Sequence, residues 1–136
     1  MARPPRVEQA TTRFINVDLD LASRRDLTPL VEALSQSMHV LFNSRVRRTF
    51  RATLELGGRW AVRSAAPDKI VARMVQLVQA LPRQLRADWD RATSRWFNLG
   101  FECGDTRLMD IEIEPSTVKA VAELTDAALI VVLAPT

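Results

Sequence analysis

Ile15, Val17, Leu19 and Leu21 alternate with Asn16, Asp18 and Asp20. A period of two over Phe14 to Leu21 fits a strand with one buried and one wet face. Ser23 or Asp26 then offers a helix cap, Pro29 suits a first turn, and Leu30, Val31 and Leu34 give that helix an apolar side. Met38 to Phe42 is a short apolar run that reads as a returning strand. The same unit recurs near the other end. Met109, Ile111 and Ile113 alternate with Asp110, Glu112 and Glu114, Pro115 stops the strand, a short helix runs to Leu124, and Ala128 to Ala134 is wholly apolar. An unbroken apolar strand is expected to be central, or covered on both faces.

Between the two units, Thr49 to Leu56 alternates with Phe50, Ala52, Leu54 and Leu56 inward. Gly57-Gly58 is a hairpin signal, with Arg59 to Ser64 as the strand that follows and Trp60 and Val62 beside Thr53 and Glu55 on its outer face. Ile70, Val71, Met74, Leu77, Val78 and Leu81 form a stripe at helical period after Pro67. Pro82 divides this helix from a second, in which Leu85, Trp89 and Ala92 share a face. Trp96 to Cys103 alternates again, with Phe97, Leu99, Phe101 and Cys103 inward.

The order predicts an α+β fold: a mainly antiparallel sheet with helices packed on one face. Its order is ferredoxin-like, with an added C-terminal β-α-β unit. Residues 1–12 carry two prolines and no apolar stretch, and read as a flexible tail; 13–136 read as one domain. At 136 residues and 47% hydrophobic, the chain is large enough for one core. No apolar run approaches the ~18 residues that span a bilayer. A single cysteine rules out an intrachain disulfide and fits a reducing, cytoplasmic setting.

Little in the sequence points to catalysis. Metal sites need several ligands at fixed spacing, and the chain has one His and one Cys. Asp18, Asp20, Asp110, Glu112 and Glu114 would gather if the two repeated strands were neighbours, and carboxylates of that kind hold Ca²⁺ or Mg²⁺. Solvated strand faces explain them more simply. Cys103 and His39 are the raw material of a nucleophile pair, but Cys103 falls in the inward register of its strand, as a buried thiol would. No Gly-rich phosphate loop or nucleophile elbow is present. No enzyme activity, metal or cofactor is expected.

Binding is the better expectation. Net charge is +3, with 17 Arg against 2 Lys. Residues 1–65 carry 11 basic and 6 acidic groups, and residues 66–136 carry 8 and 10. Arg45, Arg47, Arg48 and Arg51 form the densest basic segment, suited to phosphates and hence to nucleic acid. Base stacking would also need aromatics on an open sheet face, where the acids are expected instead. A protein partner or self-association suits a mixed surface better. Its candidate residues are Arg45, Arg47, Arg51, Trp60, Trp96, Asp18, Asp20, Asp110 and Glu112, since Trp and Arg are enriched among interface hot spots.

Three stretches also carry a resemblance in layout: Phe14-Ile15-Asn16-Val17-Asp18-Leu19, Trp96-Phe97-Asn98-Leu99-Gly100-Phe101, and the final strand–helix–strand. Over most of its length the chain resembles small uncharacterised bacterial α+β proteins, some of them similar to immunity proteins of polymorphic-toxin systems. That resemblance implies tight binding of a cognate toxin, with electrostatic complementarity setting specificity. It carries over no functional residue.

Overall fold

Alternation decides the architecture, because a strand that buries every second residue needs a layer against only one of its faces. The computed structural model describes residues 13–58, 66–102, 112–124 and 127–134. Along them run β1 (Arg13–Ser23), α1 (Thr28–Leu34), β2 (Met38–Val46), β3 (Thr49–Leu56), α2 (Pro67–Gln79) and α3 (Arg83–Arg91), then β4 (Ser94–Glu102), α4 (Pro115–Ala122) and β5 (Ala128–Ala134). The strands form one sheet in the order β2-β3-β1-β4-β5. All pairings are antiparallel except β4 with β5. The first four strands thus have the ferredoxin-like order, and β5 extends it beyond β4.

The helices cover one face. Val17, Leu19 and Leu21 of β1, Ala52, Leu54 and Leu56 of β3, and Phe97, Leu99 and Phe101 of β4 are buried there. Ile70, Val71, Met74 and Val78 of α2 join the same core. Trp89 of α3 is the largest fully buried side chain among the described residues, its indole N–H donating to the Leu124 carbonyl at 3.3 Å and its ring 6.4 Å from that of Phe97. Arg95 is buried on this side too. Its Nη1 donates to the carbonyls of Trp89 and Ala92, at 3.1 and 2.5 Å, and so closes the C-terminal end of α3. A cation at that end also meets the negative pole of the helix dipole.

Several expectations need correction. β2 runs to Val46 rather than stopping at Phe42. Its ladder with β3 continues to Val46 opposite Thr49, so Arg47-Arg48 is a tight turn, with Arg47 at φ 59°. That left-handed conformation usually falls to Gly or Asn, which is why the sequence conceals the turn. The proposed strand at Arg59 to Ser64, Trp60 included, lies outside the described residues, as does Leu108 to Ile111. Glu112 to Glu114 are not a strand. Glu114 is the N-cap residue of α4, and its N–H donates to Asp68 at the start of α2, at 2.9 Å. Among the described residues the two strand–helix–strand units coincide from helix to strand, where Leu34 and Leu124 are both buried four residues ahead of β2 and β5.

Capping also differs. Leu27 occupies the N-cap of α1 without a side-chain bond. Asp26 accepts the Thr28 N–H at 2.9 Å, and Ser23 Oγ accepts that of Arg25 at 3.1 Å. Finally, β5 is not central. Among the described residues it pairs with β4 alone, and Val131, Val132 and Leu133 are exposed by 49%, 44% and 55%. Leu129 packs against this chain's own core, but the apolar residues from Val131 to Leu133 do not.

Candidate functional site

From Asn16 onward the even-numbered residues of β1 face away from the helices, together with the even-numbered residues of β4 and the odd-numbered residues of β3. A register shift between Phe14 and Asn16 leaves Phe14 on the helix side, its ring 5.5 Å from that of Phe101. Asp20 stands near the middle of this open face, opposite Thr53 on β3 and Trp96 on β4. Its carboxylate is held on both sides. Thr53 Oγ1 donates to one oxygen at 2.6 Å, and Asn98 Nδ2 donates to the other. One step along β1, Asp18 lies opposite Glu55 and Asn98. Asn16 Nδ2 donates to both Asp18 Oδ1, at 2.9 Å, and Glu55 Oε2, at 3.2 Å.

Three carboxylates thus share one patch. Among the described residues, no Lys or Arg lies within salt-bridge distance of any of them. The cost falls on Asp18, whose carboxyl is pushed up to about 6, first by partial burial and then by the charges of Asp20 and Glu55. Beside the acids runs an open groove of about 440 Å³. Asp20, Thr53 and Asn98 line its polar part and Phe42 and Trp96 its aromatic part, with Arg51, Ile130 and Val132 also in its lining. Trp96 and Phe42 are 47% and 44% exposed, unusual for side chains of that size.

A bulge sets this arrangement. The β2–β3 register shifts between Val40 and Phe42. One extra residue exchanges the faces of everything beyond it. Phe42, which would otherwise join Met38 and Val40 on the helix side, pairs with Thr53 and turns to the open face. Arg45 goes the other way. It pairs with Phe50, its guanidinium lies 5.5 Å from that ring, and its Nε donates to the Arg47 carbonyl at 3.0 Å.

Of the residues the sequence singled out, Asp18, Asp20, Arg51 and Trp96 are brought together. Arg45 is on the opposite face, Arg47 is at the hairpin tip, and Glu112 is exposed in the link before α4. Trp60 and Asp110 lie outside the described residues. The basic segment is therefore divided between two faces and a turn. Phe42, Thr53, Glu55, Asn98, Ile130 and Val132 were not among the candidates. Strand parity marks Asn98, but only the bulge accounts for Phe42. Among the described residues, no group of three or more His, Cys, Asp and Glu side chains is arranged to hold a metal ion. None of the described helices is long and apolar enough to cross a membrane. No family model matches this chain, and no curated protein or solved structure matches it either.

Proposed function

We propose that this protein is a non-catalytic, cytoplasmic protein-binding module. Its open sheet face receives a partner presenting a cationic side chain beside apolar surface. The observation that carries this reading is the carboxylate row Asp18, Asp20 and Glu55, which among the described residues has no Lys or Arg within salt-bridge distance and borders a groove lined by the exposed rings of Trp96 and Phe42. An incoming Lys or Arg relieves the mutual repulsion of the acids, and the aromatic rings supply apolar contact and a cation–π surface. Complementary charge of this kind sets partner choice and speeds encounter. Binding and neutralising a cognate toxin, the immunity-like role, is one form of the same reading.

Nuclear magnetic resonance titration with a short peptide of alternating Arg and Leu tests it. The Trp96 indole and Asn98 amide signals are expected to move, less so at high salt, while a Glu-Leu peptide of the same length leaves them in place. Trp96→Ala is expected to weaken the interaction by about 1–2 kcal/mol. Absence of any response at low salt ends the proposal. Tighter binding of a single-stranded oligonucleotide would instead favour the nucleic-acid alternative.

A further inference from the structure

The two outer strands of the sheet are protected very differently. An exposed strand edge presents unpaired backbone donors and acceptors, and native proteins blunt it with charges, prolines or bulges. β2 carries a bulge and the polar residues His39, Asn43, Ser44 and Arg45. β5 reads Ala-Leu-Ile-Val-Val-Leu-Ala, with no charge, proline, glycine or register shift along its pairing with β4. Among the described residues its far edge is unpaired, and Val131, Val132 and Leu133 are about half exposed.

The sequence of β5 fits itself. Turned antiparallel about its midpoint, it sets Leu129 against Leu133, Ile130 against Val132 and Val131 against Val131. Each apolar side chain meets an identical or near-isosteric one, and no like charges are opposed. Both members of every pair have the same parity, so helix side meets helix side. Two copies would form one continuous sheet, with both helix layers on one side and both open faces on the other.

We propose that β5 pairs antiparallel with β5 of a second copy around a two-fold axis through Val131. The occupant is another copy of this chain because the strand is complementary to its own reverse, as an isologous contact requires. The pairing also bears on the groove. Ile130 and Val132 line it, and in the dimer each meets its counterpart from the second copy on the open face. The two grooves then flank the two-fold axis, and their β5 walls become continuous.

Size-exclusion chromatography with light scattering, over a dilution series of the full chain, gives the first test. A dimer that dissociates on dilution is expected. Val131→Lys opposes two like charges on the axis and is expected to weaken the dimer about ten-fold or more. Because Val131 is half exposed, its circular dichroism spectrum should be unchanged. In a Cys103→Ser background, the Val131→Cys variant is expected to crosslink to itself under mild oxidation. The Val132→Cys variant is not, since its two thiols would sit two residues out of register, beyond disulfide reach. A monomer up to about 1 mM, equal dimerisation by Val131→Lys, open-ended larger assemblies, or crosslinking through position 132 but not 131 would each overturn the proposal.

Discussion

The same strands build both faces of the sheet, yet the two faces obey different rules. On the helix side, Val17, Leu19 and Leu21 are no more than 2% exposed, and what they need is close packing. One residue away in each case, Asn16, Asp18 and Asp20 form a hydrogen-bonded polar row in which Asp18 is partly desolvated and, among the described residues, neither acid has a Lys or Arg within salt-bridge distance. The first face lowers the free energy of the fold. The second raises it locally, and a feature of that kind persists more readily where a ligand uses it than where nothing does.

Neighbouring residues of β4 give the sharpest way to break this contrast. Phe97 is fully buried against Trp89, and Trp96 points to the groove. Phe97→Ala is expected to cost about 3–5 kcal/mol by urea or guanidinium unfolding, because it removes a large side chain and leaves a cavity. Trp96→Ala, a larger deletion, is expected to cost under about 1 kcal/mol. Equal losses would mean that the open face is a second core and not a docking surface. Arg95 is a finer test, a charge on the apolar side. Arg95→Met keeps the stem but removes the donor to the Trp89 and Ala92 carbonyls, and is expected to cost about 2 kcal/mol. No loss would mean that water serves the end of α3 as well as the guanidinium does.

How far the sequence foretold this contrast depends on how local each cause is. The inward residues of β1, β3 and β4 follow from alternation, and the α2 stripe from helical period, because both signals sit within one element. Asp18 and Asp20 were legible as outward for the same reason. Arg45 was not, since its face depends on a bulge set by pairing with a distant strand. Arg95 escaped because the alternation read from Trp96 begins one residue too late to reveal a charge in the inward register. β5 misled because an apolar run records that a strand is to be covered, not which chain covers it. The acidic row lost Glu112 because its patterned neighbours are followed by Pro115, which starts α4 instead of ending a strand.

Asp18 offers the smallest effect and the most informative one. Its carboxyl ionises near 6 in the folded protein, against 3.8 in the unfolded chain. Between those values the folded state holds a proton that the unfolded state has released. Stability therefore falls as pH rises through that window and levels off above it. Asp18→Asn keeps the shape and an acceptor for Asn16 but removes the charge beside Asp20 and Glu55. It is expected to leave stability unchanged near pH 3.8 and to raise it above about 6. Solvent screening at a half-exposed site holds the gain to about 1 kcal/mol. Chemical unfolding of both proteins across that range measures it. If the variant is more stable but binds the Arg-Leu peptide less well, the strain on the open face is tied to recognition. If it shows no pH-dependent gain, the row is an ordinary solvated surface, and the two faces differ in polarity alone.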